Sequence, residues 1–173
     1  VLISMIKAGI FTVEKKEVSR LPVYEGKEMG AMPLNDFQEI AKNKIYLAFN
    51  EKKPVLLHGI TSSGKTEVYI RLIEDTIRRN LQVLFLVPEI ALTTQLVNRL
   101  KKVFGKKIGV YHSRYSENER IEVWNSLIRK GHDENNFPDN EEIKIVLGPR
   151  SALLLPFSHL GLIIVDEEHD SSY

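Results

Sequence analysis

Residues 59–66 read Gly-Ile-Thr-Ser-Ser-Gly-Lys-Thr. This is a Walker A pattern, and each residue type in it has a chemical reason. Gly59 and Gly64 let a backbone curl without Cβ clashes, so that the N–H groups of Ile60, Thr61, Ser62 and Ser63 turn inward on an anion. A helix starting near Gly64 adds the positive end of its dipole. Lys65 supplies a mobile positive charge for β- and γ-phosphates, and the Thr66 hydroxyl is a hard oxygen ligand suited to Mg²⁺. An apolar run precedes the pattern and an amphipathic stretch follows it, which is the strand–loop–helix setting that a triphosphate cradle requires. The chemistry expected is the binding of a nucleoside triphosphate with Mg²⁺.

A second cluster completes that chemistry. Asp166-Glu167-Glu168-His169 follows the aliphatic run Leu162–Val165. Ligands of open α/β sheets bind at the carboxyl ends of strands. There Asp166 would hold Mg²⁺ directly or through water, as a partner to Thr66. Glu167 would orient and deprotonate the attacking water, which makes Glu167 and Lys65 the candidate catalytic residues. The competing reading is a solvated strand end, where charged residues gather with no catalytic role.

These groups need a scaffold. Short, continuously apolar runs recur at Pro54–His58, Gln82–Val87, Lys107–Tyr111, Ile143–Leu147 and Leu162–Val165. Continuous rather than alternating apolarity predicts strands covered on both faces. Helical spacing fills the gaps. Asp36–Phe49 aligns Phe37, Ile40, Ala41, Ile45 and Ala48, and Thr66–Arg79 aligns Val68, Leu72, Ile73 and Thr76. Ile90–Phe104 aligns Leu92, Leu96, Leu100 and Val103, and Ser116–Lys130 aligns Ile121, Trp124, Leu127 and Ile128. Ser116 and Glu119 stand at capping-box spacing. The expected fold is α/β, a parallel sheet with helices on both faces. Residues 131–142 are polar and acidic and read as a surface loop.

Composition narrows the class. Apolar residues make up 43% of 173 residues and charged residues 27%, the balance of a globular domain. Net charge is +1, so nucleic-acid contact would have to come from local patches. With no cysteine, disulfides and cysteine-bound zinc are excluded within residues 1–173, and a cytoplasmic setting is expected. No apolar run is long enough to span a bilayer, so no membrane partner is expected.

Asp166-Glu167-Glu168-His169 resembles the D-E-x-H form of motif II in superfamily-2 helicases. Longer segments sharpen the likeness: "GITSSGKTEVY" (59–69), "LVPEIALTTQ" (86–95), "YHSRYSENERIEVW" (111–124), "GPRSALLLPF" (148–157) and "LGLIIVDEEHDSSY" (160–173). Together they resemble the family of primosomal protein N′ (PriA), the replication-restart helicases, from about Leu34 to Tyr173.

The resemblance implies a RecA-like P-loop lobe at 34–173, preceded by the end of a winged-helix domain at 1–21 and a linker at 22–33. It implies an ATP-driven 3′-to-5′ DNA helicase of replication restart and primosome assembly. The partners would be single-stranded and forked DNA, other primosome proteins and single-stranded DNA-binding protein. Gln38, in "LNDFQ", would hydrogen-bond the adenine, although Asn35 and Gln38 also stand at capping-box spacing. The "VPEIALT" and "GPRSA" segments would contact the DNA backbone through Thr93, Thr94, Arg150 and Ser151, unless these serve a helix's first turn and local caps. His169 would couple hydrolysis to DNA. Zinc is implied only for a cysteine-rich insertion beyond residue 173. A second lobe with catalytic arginines is implied there too, so residues 1–173 alone are expected to bind nucleotide weakly with little turnover.

Pro149 departs from the Thr of the family's "GTRSA" and removes a hydroxyl and an N–H. Two other readings compete: an ATP-gated DNA-binding module without unwinding, and a small-molecule P-loop kinase, against which Asp166–His169 and the lack of an arginine-rich lid stand.

Overall fold

A computed structural model describes residues 2–10, 12, 30–60, 63–89, 92, 94–128 and 143–170. A short helix, α1 (Leu2–Lys7), stands at the start of the chain. The main domain opens with α2 (Asp36–Asn50) and α3 (Lys65–Arg78), followed by β1 (Gln82–Leu86), α4 (Thr94–Phe104), β2 (Ile108–Val110), α5 (Glu117–Ile128), β3 (Ile145–Gly148) and β4 (Leu160–Val165). The four strands form one sheet in the order β2-β3-β1-β4, and every pairing is parallel. Phe85 of β1 lies level with Leu147 on one side and Ile164 on the other. A parallel sheet requires crossovers, and the helices between the strands supply them. This is the α/β architecture expected of a RecA-like lobe.

Side-chain alternation along β1 divides the core in two. Val83, Phe85 and Val87 face a cluster that includes Val68, Leu72 and Ile73 of α3 and Val97 and Leu100 of α4. Leu84 and Leu86 face the other way, onto Val123 and Leu127 of α5 with Ala152 and Leu155. β1 can be apolar throughout because helices cover both its faces.

Three expectations give way. Pro54–His58 is not a strand: the segment is extended, but it joins no ladder, and Leu56 is 68% exposed while Leu57 packs against the core. Pro54 has no N–H to give a ladder, and five residues gain little from pairing along one edge. β4 is not buried on both faces. Leu162 and Ile164 are covered, but Ile163 and Val165, pointing the opposite way, are 49% and 40% exposed, because α5 covers the inner strands and not this edge. The packing faces of two helices also differ. On α2, Phe37 and Ile40 are exposed and Ile45 is buried; on α5, Ile121, Trp124 and Ile128 are exposed while Val123 and Leu127 are buried. Periodicity marks an apolar stripe, but the neighbouring surface decides which part of the stripe is covered.

α4 starts at Thr94, and the Ile90–Ala91 turn expected to open it lies outside the described residues. So do the 131–142 loop and much of 1–33, including residues 22–29 of the expected linker.

Candidate nucleotide site and strand-tip groove

The phosphate loop runs into the first turn of α3 at Gly64. Gly64 caps the helix at φ 84°, a left-handed conformation that a side chain would strain. A Cβ there would also meet Gln38 Nε2 at 2.5 Å, and a Cβ on Gly59 would meet Ser63 Oγ at 2.6 Å. Lys65 folds back over the loop, its Nζ donating to the Gly59 carbonyl at 2.7 Å. The ammonium therefore already reaches back to the first residue of the Walker A pattern. Ile60 is 80% exposed. Thr66 is half-buried in the helix's first turn. Thr61 and Ser62 lie outside the described residues.

Gln38 is held at both ends of its amide. Its backbone N–H donates to Asn35 Oδ1 and its Oε1 accepts from the Asn35 N–H, each at 2.9 Å, a reciprocal capping box that starts α2. Its Nε2 donates to the Gly64 carbonyl at 3.2 Å. The side chain expected at the adenine thus ties α2 to the end of the phosphate loop, and the capping role the sequence left open is present.

Asp166 stands at the tip of β4, its N–H donating to the Leu86 carbonyl at 3.0 Å so that it is anchored on the neighbouring strand. Its Oδ1 accepts from the Tyr69 hydroxyl at 3.4 Å. Tyr69 belongs to α3, three residues beyond Thr66, so the phosphate-loop helix and the acidic strand tip meet on one edge of the sheet. Burial, then the negative charge of Asp166, pushes the Tyr69 phenol far above its ordinary pKa, so it is a neutral donor. Residue type and spacing in the sequence did not single Tyr69 out, because its partner lies 97 positions along the chain.

Glu167 follows at φ 53°, a left-handed conformation uncommon for a residue with a side chain, and its carbonyl accepts the Asp170 N–H at 2.9 Å. That turn swings the chain off the strand and leaves Glu167, Glu168 and His169 exposed. Thr66 and Asp166 are both hard oxygen donors, which suits Mg²⁺, an ion that takes few protein ligands and keeps waters and phosphate oxygens. Among the described residues there is no cluster of three or more His, Cys, Asp or Glu that could hold a metal unaided. A two-ligand site completed by nucleotide is compatible with that.

The remaining candidates flank the tips of β1 and β3. Pro149 is buried and extended, and its carbonyl accepts the Ala152 N–H at 2.8 Å to start a 3-10 turn over Arg150–Leu154. Arg150 and Ser151 are exposed and, with Pro88, Glu89, Pro149 and Leu154, line a groove of about 520 Å³. Thr94 is exposed at the start of α4, and Thr93 lies outside the described residues. Beside them, after β2, His112 is buried; its Nδ1 accepts the Arg114 N–H at 3.0 Å, and its Nε2 has no partner among the described residues.

The sequence is similar to those of known proteins. A family model described as DEAD/DEAH box helicase matches residues 35–173. The replication restart protein PriA of Bacillus subtilis is 40% identical over 174 residues, covering 98% of this chain and 20% of that protein. PriA of Synechocystis is 38% identical over 172 residues, covering 98% and 19%. PriA of Helicobacter pylori strain J99 is 48% identical over 124 residues, covering 71% and 18%. The chain thus spans about a fifth of the length of these curated relatives. No described helix is long and apolar enough to cross a membrane. With a matched region that takes in the phosphate loop, the sheet and the acidic strand tip, the chain belongs to the DEAD/DEAH box helicase family.

Proposed function

We propose that this chain is the first motor lobe of an ATP-dependent, 3′-to-5′ DNA helicase of replication restart and primosome assembly, acting in the cytoplasm on single-stranded and forked DNA with other primosome proteins. The observation that carries the reading is the contact between Tyr69 and Asp166, which puts the start of α3 and the tip of β4 side by side. The PriA relatives direct it toward replication restart.

In this reading the backbone of Gly59–Thr66 cradles the phosphates. Lys65 leaves the Gly59 carbonyl for the β- and γ-phosphates, exchanging one acceptor for a more highly charged one. Thr66 and Asp166 hold Mg²⁺, which when bound offsets charge developing on the phosphoryl oxygens. Glu167 accepts the proton of the attacking water. Gln38 reaches the adenine only by releasing part of its present network, so nucleotide entry and the α2 cap are linked. Thr93, Thr94, Arg150 and Ser151 bind phosphates of the DNA strand along the groove at the tips of β1 and β3, and His169 couples that strand to the acidic tip. The domain division is 1–21 from a winged-helix domain, 22–33 as linker and 34–173 as the motor lobe. A second lobe supplies the arginines that complete the transition state, so residues 1–173 alone turn over slowly.

The test is ATP hydrolysis by the intact protein containing this lobe, with and without single-stranded DNA, together with unwinding of forks carrying a 3′ or a 5′ single-stranded arm. Strong DNA stimulation with 3′-to-5′ unwinding is expected. DNA-stimulated hydrolysis without strand separation would instead make this an ATP-gated binding module, and hydrolysis indifferent to DNA would overturn the reading.

A further inference from the structure

We propose that Tyr69 is a positioning residue for the metal carboxylate: its hydroxyl tethers Asp166 to the helix that carries Thr66, so that one rigid element sets both oxygen ligands. The inference rests on the nucleotide-site reading above and deepens it.

Helical geometry places Tyr69 four residues after Lys65 and three after Thr66, one turn along the same side of α3. The ring is 8% exposed and meets Phe85 edge-to-face, with centroids 5.6 Å apart and planes at 81°. Phe85 is fully buried at the centre of the sheet and lies level with Ile164 of β4. The ring is thus wedged between α3 and the sheet, and its hydroxyl emerges at Asp166 Oδ1, 3.4 Å away. A phenylalanine would fill the same space against Phe85, so packing alone does not account for the hydroxyl. A buried phenol also needs a polar partner, and here that partner is the carboxylate.

A carboxylate at a strand tip can rotate about two bonds, and a metal must select one rotamer. Asp166 is already restrained at the main chain by its bond to Leu86 and at the side chain by Tyr69. Restraint in advance lowers the ordering cost of metal binding. Partners that orient metal ligands typically contribute 10- to 100-fold in metal affinity, and the length of this bond places Tyr69 at or below the low end.

The experiment uses the intact protein with Tyr69→Phe. Binding of Mn²⁺ in the presence of a non-hydrolysable ATP analogue is followed by electron paramagnetic resonance, alongside the Mg²⁺ dependence of ATP hydrolysis and thermal melting. The proposal expects Mn²⁺ affinity to fall roughly three- to tenfold, with a matching rise in half-saturating Mg²⁺. It also expects kcat at saturating Mg²⁺ and the melting temperature to stay near those of the unsubstituted protein. Tyr69→Ala, which also removes the ring, should lower the melting temperature and serves as the packing control. Unchanged Mn²⁺ affinity in Tyr69→Phe overturns the positioning role while leaving the motor reading intact. Absence of nucleotide-dependent Mn²⁺ binding in the unsubstituted protein sinks both.

Discussion

Gln38 donates through Nε2 to the carbonyl of Gly64, 26 positions along the chain, while its Oε1 closes the capping box with Asn35. One amide therefore joins the N-terminus of α2 to the hinge of the phosphate loop. In the proposed reading, an adenine ring engaging this amide would compete with bonds already made, which would link base binding to the loop.

Gln38→Glu separates the two roles. The carboxylate can still accept the Asn35 N–H, so α2 keeps its cap and the melting temperature should hold. The donor to Gly64, and to adenine, is lost. Discrimination of ATP from GTP should fall about tenfold or more, as expected when a polar reader loses its partner. Gln38→Ala should in addition lose the bond from the Asn35 N–H, costing about 0.5 kcal/mol of stability, while Asn35 still caps the residue-38 N–H. Competition binding with both nucleotides and a thermal melt distinguish the variants; unchanged base preference in Gln38→Glu removes the adenine role.

Lys65→Ala should abolish most turnover without unfolding the lobe. Among the described residues the ammonium donates to the neutral Gly59 carbonyl, a partner it can exchange for phosphate. Loss of one preorganised charge at a phosphoryl group should slow DNA-stimulated hydrolysis on the order of 10²- to 10³-fold. Steady-state kinetics and circular dichroism check both halves.

Glu167→Gln should leave ATP and DNA binding near normal and reduce hydrolysis about 10²- to 10⁴-fold, the range for a general base. The amide keeps the size of the side chain and so preserves the left-handed turn at φ 53°. Equal losses in binding and turnover would mean that the residue shapes the turn rather than the water.

Tyr46 donates to Asp75 at 2.6 Å and joins α2 to α3. Burial first, and then that bond, hold its phenol well above the ordinary value near 10. A group with a raised folded pKa contributes stability that is complete below its unfolded pKa and is lost as pH rises toward the folded one. Tyr46→Phe should cost about 1 kcal/mol at neutral pH and then decline less between about pH 9 and 11 than the unsubstituted chain. Urea unfolding across that range measures the slope; parallel declines in the two proteins would refute the assignment.

Arg150→Ala should weaken single-stranded DNA binding and reduce the salt slope by about 0.7, the contribution of one phosphate contact. Glu89 lines the same groove, so Glu89→Gln should act in the opposite direction by removing a carboxylate that repels phosphate. Affinity titrations at several salt concentrations test the pair.

Much of this was written locally. The spacing of Gly59, Gly64, Lys65 and Thr66 follows from the size of a phosphate and the reach of backbone N–H groups, so it is visible without coordinates. β1 declared itself by five consecutive apolar or amide residues, because a central parallel strand is covered on both faces. The Asn35–Gln38 capping box was likewise readable, since its partners are three residues apart.

Other features depend on which surfaces meet. Pro54–His58 is as apolar as β1 but joins no ladder, because a ladder depends on an available neighbour and not on hydrophobicity. Phe37 and Trp124 have helical spacing and still face solvent, since periodicity names a stripe and only packing selects the part that is buried. The bond from Tyr69 to Asp166 joins residues 97 apart in the chain. Nothing in the spacing of either one encodes the other. Parallel pairing of β4 with β1 and the docking of α3 across both strands bring them together, a relationship that exists only once the sheet has formed.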